Sequence, residues 1–304
     1  MRAAVVDCGT NTIRLLVADP APGGLREVCR AQELVRLGQG VDATGELHPD
    51  ALARTFAAVD RFAATVCEQG VTRLRFLATS AVRDVRNRQQ LCDGVRQRLG
   101  VDVEVISGDT EARLSFLGAL SGGPVAAGPV LVTDVGGGST ELILGGLDGE
   151  VLQACSLNVG SVRLRERFLH TDPPLPDEVD QARRLVAELL DGSGVDIAAA
   201  QTWIAVAGTA TSLSAITQGL TAYTRTRVHD STVPAADLDR LAARLLAMPV
   251  EQVLGRWPVL QQLRAEVICA GALICAEVAR RARLAMTVRE TDILDGATLE
   301  LLRS

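Results

Sequence analysis

The chain states one short pattern twice, and that repeat restricts its fold more than any other feature. Residues 5–17 read VVDCGTNTIRLLV and residues 132–144 read VTDVGGGSTELIL. At an offset of 127 residues Asp7 falls on Asp134, Gly9 on Gly136, Thr12 on Ser139 and Leu15 on Leu142. Each copy runs from an apolar strand into an Asp, small residues, a hydroxyl and a second apolar strand. That is the pattern of a β-hairpin whose tip lets backbone amides approach an anion. One copy alone reads equally well as an ordinary Gly-rich turn. Two copies in register predict two similar halves whose tips face each other across a cleft and hold a phosphate chain from both sides. The copies differ in charge at one position, where Arg14 stands opposite Glu141.

A chain of 304 residues exceeds one ordinary core and suits two domains. Aromatic residues make up only 3%, so the core must be aliphatic. Asp7 breaks the opening apolar stretch before a signal sequence could form, and no uncharged run reaches the roughly 18 residues of a membrane span. Seven cysteines, an odd number without CxxC spacing, read as reduced thiols in a cytoplasm, with Cys269 and Cys275 as core residues. A net charge of −6 argues against a nucleic-acid partner, which wants a basic face. All 31 basic residues are Arg and none is Lys, which excludes a catalytic lysine and the GxxxxGK[ST] phosphate loop. Phosphate must then be held by backbone amides, hydroxyls, Arg and a divalent metal.

Periodicity predicts strands near 2–8, 12–18, 25–36, 73–79 and 101–106, and helices near 49–69, 85–99 and 109–120. The turn GGPVAAGP at 122–129 marks a boundary. The pattern then restarts with a hairpin at 129–145, strands near 150–157, 202–207 and 284–288, and helices near 177–191, 209–219, 235–247, 259–282 and 292–303. Alternating strands and helices call for mixed sheets covered by helices. The division expected is a first domain over 1–121, onto which the C-terminal helix 292–304 packs back, and a second over 122–291.

Three further segments carry polar groups at the ends of apolar strands. In ISGDTEARLSFLGAL, residues 106–120, Ser107 or Asp109 caps a helix and Glu111 lies in its first turn. Read alone, Glu111 is better taken as an ordinary partner of the helix N-terminus than as a base activating water. In ATSAVRDVRN, residues 78–87, Arg83 reads equally as an anion-binding fork or as a surface residue paired with Asp84. In TWIAVAGTATSLSAI, residues 202–216, Gly208 and Thr209 open a helix whose amides suit an anion, although a Gly at such a turn is common. His48, His170 and His229 have no metal-ligand spacing and read as structural or surface residues.

These segments, DCGTNTIRL (7–15), ATSAVRD (78–84), ISGDTEAR (106–113), DVGGGSTE (134–141), LNVGSVRLRERFL (157–169), GTATSL (208–213) and LRAEVICAGALI (263–274), fall in an order that resembles the exopolyphosphatase and guanosine pentaphosphate phosphohydrolase (Ppx/GppA) family, and its short members in particular. The resemblance runs from residue 3 to about 296. It implies two ribonuclease H-like (actin-like ATPase) domains, with mixed sheets flanked by helices and an active-site cleft between them. It also implies Asp7, Asp134 and Glu141 at a divalent metal, Mg²⁺ with Mn²⁺ as the alternative, and Glu111 as catalytic base with Glu141 as a second acid. Asn11, Arg83, Gly136, Gly137, Gly138 and Ser139 would hold phosphate, joined by Gly208 and Thr209. The resemblance thus reverses the residue-level preference for Glu111. Where the family commonly has Glu, VHG and LREG, this chain has Thr110, VHD (228–230) and ILDG (293–296). The activity implied is release of terminal orthophosphate from inorganic polyphosphate by a cytoplasmic homodimer without membrane or nucleic-acid partners. Guanosine pentaphosphate is the alternative substrate. A kinase of the same fold group and a polyphosphate- or nucleotide-binding regulator without turnover are the competing classes.

Overall fold

The computed structural model describes residues 1–83 and 85–303, so the pairing of Arg83 with Asp84 lies outside the described residues. The first sheet is built from β1 (Ala3–Cys8), β2 (Thr12–Ala21), β3 (Gly24–Leu34), β4 (Arg73–Ala78) and β5 (Val103–Val105). Between and after these strands come α1 (Val41–Thr44), α2 (Pro49–Glu68), α3 (Ser80–Arg83), α4 (Arg88–Leu99) and α5 (Gly108–Ser121). The second half begins with β6 (Val130–Val135), β7 (Thr140–Gly145) and β8 (Val151–Leu157), then α6 (Ser161–Phe168) and α7 (Pro176–Asp191). It continues through β9 (Thr202–Val206), α8 (Ala207–Thr217), α9 (Arg225–Val228), β10 (Ser231–Val233), α10 (Ala235–Leu246) and α11 (Val250–Arg256). Helix α12 (Gln262–Ala282), β11 (Met286–Val288) and α13 (Ile293–Arg303) follow. None of the described helices is long and apolar enough to cross a membrane.

The two sheets repeat one topology. The first has the order β3-β2-β1-β4-β5, with the three-strand hairpin antiparallel and β4 and β5 parallel to β1. The second has β8-β7-β6-β9-β11 in the same relation, with β10 added antiparallel at its edge. This is the ribonuclease H-like order expected for each half. The central strands β1 and β6 are buried along their whole length, which explains why they read as near-continuous apolar runs broken by one Asp each and, in β6, by Thr133. The periodic helices fall where expected, but the edge strand β10 and the short helices α1, α3, α6, α9 and α11 went unforeseen, because each is too short to show a sustained apolar period.

Helices α5 and α13 run together between the sheets. Ile293, Leu294 and Ala297 of α13 pack with Val5, Leu16 and Leu77 of the first sheet and with Leu114 of α5. The other face of α5 sends Ala112, Phe116 and Ala119 against Val130, Val132, Ile143 and Ile204 of the second sheet. Two glycines allow this close crossing. A Cβ on Gly118 would lie 1.7 Å from the Asp292 carbonyl oxygen, and one on Gly296 would lie 1.9 Å from that of Leu114. The Gly of ILDG is therefore a backbone contact, and α13 is held at a fixed depth. Two of the three histidines take structural places: the His48 side chain caps α2 by accepting from the Asp50 amide at 3.2 Å, and His229 lies between the Gly122 carbonyl and the Glu290 amide, each at 3.2 Å, while His170 is exposed.

Gly118→Ala or Gly296→Ala must push two main chains apart, because backbone atoms cannot yield as a flexible side chain would. Each is expected to cost at least the roughly 1–3 kcal/mol of an overpacked core, or about 2–4 °C of melting temperature per kcal/mol. Gly255→Ala on α11, where nothing lies within 4 Å of the added methyl, is expected to be neutral or stabilising in the same thermal melts.

Candidate active site

The repeated hairpins place their tips face to face. Each tip closes with the same hydrogen bond, Gly9 N–H to Thr12 O at 3.0 Å and Gly136 N–H to Ser139 O at 3.0 Å. A Cβ on Gly137 would come within 3.0–3.2 Å of Thr10 and Asn11, and one on Gly138 would strike the hydroxyls of Thr10 and Ser80. The glycines of the second tip are thus required by the approach of the first. Behind the second tip, the amides of Ser161 and Val162 at the start of α6 donate to the carbonyls of Gly136 and Gly137, at 2.8 and 2.9 Å. The amides of Thr10, Asn11, Gly137 and Gly138 find no acceptor among the described residues. Backbone donors gathered in this way, with no partner of their own, form an anion cradle.

A polar cavity of about 60 Å³ lies between the tips, lined by Asp7, Thr10, Asn11, Arg14, Thr79, Ser80, Glu111, Asp134, Gly136, Gly137, Ser139, Gly208 and Arg264, among others. Asn11 is only 4% exposed, yet neither end of its amide has a partner, so it is poised for a ligand. Glu111 comes from the first turn of α5, where Ser107 accepts from the Thr110 amide at 3.2 Å and fixes the helix start. The helix begins at the end of β5, so its first turn looks into the cleft.

The difference between the two hairpins sets the electrostatics. Asp7 pairs across the strands with Arg14, whereas the equivalent Asp134 pairs with Glu141. Arg14 holds Asp7 Oδ2 at 2.6 Å and also contacts Asp292 from the segment leading into α13. In the second hairpin two carboxylates stand directly opposite each other, an arrangement that is destabilising without a counter-charge. Burial and then Glu141 push Asp134 well above the ordinary carboxylate range. Burial and then Glu141 also raise Glu111, against the pull of Arg83. Burial raises Asp7 as well, opposed by Arg14. Four acids of the site thus crowd around too few cations.

Some expected site residues lie just outside the cavity. Arg83 forks onto Glu111 and donates to the Ile106 carbonyl at 2.9 Å, so it acts on the acid and does not line the cradle. Glu141 is 1% exposed and accepts from Ser156 Oγ at 2.8 Å behind the cavity wall. Thr209 gives its hydroxyl to the Val135 carbonyl at 2.7 Å, and the wall there is formed by Ala207 and Gly208 instead. Among the described residues, no three acidic, His or Cys side chains are gathered closely enough to hold a metal by themselves, so Asp7, Asp134 and Glu141 do not form a closed ligand set. The Oδ1 atom of Asp7 is nevertheless buried without a partner, and Asp134 opens onto the same cavity. Those two carboxylates fit a hard cation that is completed by water and substrate oxygens, the usual way in which Mg²⁺ is held.

Two contributors had no assigned role in the sequence reading. Ala207 has φ +64°, a left-handed conformation that costs a non-glycine residue roughly 1–2 kcal/mol, and it opens α8, whose start has no side-chain cap. Arg264 has no carboxylate partner among the described residues; its one hydrogen bond is to Thr12 Oγ1 at 3.5 Å. Burial and then Arg14 lower its pKa to about 10. Its signal in the sequence is an Arg in the first turn of a helix, against the helix dipole.

The sequence model of the Ppx/GppA phosphatase family matches residues 16–302. The chain belongs to that family. It is 45% identical over 316 aligned positions to Exopolyphosphatase 2 of Mycobacterium tuberculosis, covering 99% of this chain and 98% of that one. A crystal structure of an exopolyphosphatase-like protein, 36% identical, superposes with a TM-score of 0.94 over 98% of this chain and 97% of the other. The Ppx/GppA family member of Aquifex aeolicus, 27% identical, superposes at 0.84 over 100% and 98% of the two chains. The two mixed sheets and their helices match these two-domain, actin-like structures. The departure VHD also has a local cause. Asp230 sits at φ +55°, where glycine is at ease, and its carboxylate holds Arg289 at 2.9 Å. Arg289 in turn donates to the carbonyls of Ala119, Gly123 and Pro124 at 2.8–3.0 Å, closing the end of α5.

A buried acid whose pKa is raised in the folded state favours the fold while protonated and opposes it once pH passes its unfolded value near 4. Without divalent cations, the melting temperature is therefore expected to fall as pH rises from about 5 to 8. Asp134→Asn is expected to melt about 2–4 °C above the parent chain at pH 8, the equivalent of roughly 1 kcal/mol, with the gap closing as pH approaches about 4. A pH-independent difference would remove the charge-crowding account.

Proposed function

We propose that the chain hydrolyses the terminal phosphoanhydride of inorganic polyphosphate and releases orthophosphate, with its two lobes, 1–121 with 292–304 and 122–291, closing over the end of the substrate. One observation carries this reading: two opposed hairpin tips offer unpaired amides to one small cavity, with the raised carboxylate of Glu111 on its wall. Family membership supports it, as do relatives named exopolyphosphatase over nearly the full length of this chain.

The end phosphate sits among the amides of Thr10, Asn11, Gly137 and Gly138, with the Asn11 side chain and Ser139 adding hydrogen bonds. Arg264 supplies positive charge that no acid among the described residues already holds. Glu111 takes a proton from the attacking water. Its raised pKa brings it nearer the operating pH, which suits a general base. Arg83, bound to Glu111, holds the carboxylate in place and keeps a fraction of it ionised. Glu141 raises the Glu111 pKa by repulsion from behind the wall. A divalent cation, read as Mg²⁺ or Mn²⁺ and held by Asp134 and the free oxygen of Asp7, would neutralise charge on the transferring group. The shortened chain leaves carrying the charge of the broken anhydride, so cationic contacts to the next phosphate favour its departure.

Glu111→Gln is expected to lower kcat roughly 10²–10⁴-fold with KM little changed, in a phosphate-release assay on polyphosphate run beside guanosine pentaphosphate. Near-normal turnover of that variant would falsify the base assignment, and faster release from guanosine pentaphosphate would make that nucleotide the substrate. Adding Mg²⁺ is expected to raise the melting temperature of the parent chain and to do so less for Asp134→Asn. Equal shifts for both proteins would remove Asp134 from the cation.

A further inference from the structure

Two recesses open from the cradle, and they differ in charge. Both are lined by Gln32, Gly208, Thr211 and Tyr223. Tyr223, the only tyrosine in the chain, stands between them with its hydroxyl bonded to Glu290.

The larger recess, about 300 Å³, is bounded by Arg14, Arg30, Arg225 and Arg289, and at first sight it is the basic route for a polyanion. Each of those arginines is already taken. Arg14 is held by Asp7 and Asp292, and Arg30 by Glu27 and Asp295. Arg225 is held by Glu27 and Glu290, and Arg289 by Asp230. Six carboxylates stand against four guanidiniums, and Glu27, Glu290 and Asp292 themselves form part of the wall. A phosphate entering here meets guanidiniums that acids already neutralise, and it must settle beside the carboxylates of the wall.

The smaller recess, about 90 Å³, has no carboxylate among the described residues that line it. Thr12 and Gln261 offer a hydroxyl and an amide there, over Val259 and Leu260, while the hydroxyls of Thr211 and Ser212 already donate to the Gly208 carbonyl at 3.4 and 2.6 Å. Arg264, free of any acid partner among the described residues, lies where this groove meets the cradle. A phosphate tail following this path meets donors and one uncommitted cation, and it breaks no ion pair.

We infer that the substrate's phosphate tail leaves the cradle through the carboxylate-free groove beside Arg264, and that the acid-walled recess across Tyr223 is closed to polyanions. This inference rests on the hydrolase reading above and adds the direction of the chain and the residues that admit it. Gln261, exposed at the groove's outer end, is the position where charge should sort long substrates from short ones.

The test measures phosphate release from tripolyphosphate and from long-chain polyphosphate at low ionic strength, comparing their KM values. Gln261→Glu is expected to raise the long-to-short KM ratio, and Gln261→Arg to lower it, each by roughly five- to tenfold, the effect of one charge on a nearby phosphate in water-like surroundings. Opposite shifts from one exposed position cannot come from damage to the fold. Glu27→Gln and Glu290→Gln, which lighten the acid wall, are expected to leave the ratio at its parent value. Tripolyphosphate hydrolysis with a ratio that ignores both charges at Gln261, or that falls in Glu27→Gln, overturns the tail path while the hydrolase stands. A parent chain that releases phosphate from neither polymer overturns the hydrolase reading and the tail path together.

Discussion

Buried negative charge in excess of its local counter-charge is the constraint around which this molecule is arranged. Asp7, Glu111, Asp134 and Glu141 meet at the cleft, and burial raises all four. Arg14 and Arg83 each hold one of them directly. The remaining repulsion has no outlet within the protein, so it can be relieved by a proton or a cation. Both are reagents of phosphoanhydride hydrolysis, which needs a base for water and positive charge for the transferring group. The electrostatic strain of the site and its chemistry thus have one origin. A chain that replaced Glu141 with a second Arg would be calmer electrostatically, and Glu111 would lose the neighbour that lifts its pKa.

The architecture serves to hold that crowding in place. Duplicated hairpins supply two tips of identical closure, and the contacts of Gly137 and Gly138 with Thr10 and Asn11 set their separation. Helix α5 carries Glu111 on its first turn and packs on both sheets, while α13 locks against it through Gly118 and Gly296. The segment before α13 then reaches the site itself, because Asp292 caps the helix through the Leu294 amide at 3.0 Å and also holds Arg14. A displacement of the C-terminal helix is therefore felt at the arginine that steadies Asp7. Arg289 and Asp230 fasten the other end of α5 in the same manner. Departures at the C-terminal motifs consequently read as a charge-paired way of fixing the crossing between lobes.

Much of the site was legible because its residues belong to a repeat or to a helix start. The offset of 127 residues predicted both tips, and alternation of strand and helix predicted both sheets. Glu111 was visible but ambiguous, since an acid in a first helical turn is stabilising whether or not it does chemistry. Thr209 shows the limit of motif reading: a hydroxyl at a suitable helix start is here consumed by the Val135 carbonyl. Arg83 and Glu141 lie one layer further out than a motif can tell, because spacing along a chain does not say which of two neighbours faces the cavity. Arg264 could have been noticed as a cation set against its own helix dipole.

The sequence by itself determined the fold class, the two hairpin tips and the exclusion of lysine chemistry, because strand periodicity, glycine at tight approaches and residue type are local properties. Only the tertiary structure decided which charges are spent and which are free. Arg30 and Arg225 look as available as Arg264 until acids distant in the chain, Asp295, Glu27 and Glu290, are found against them. Electrostatic availability depends on distance in space and on burial, and neither is written in the order of residues.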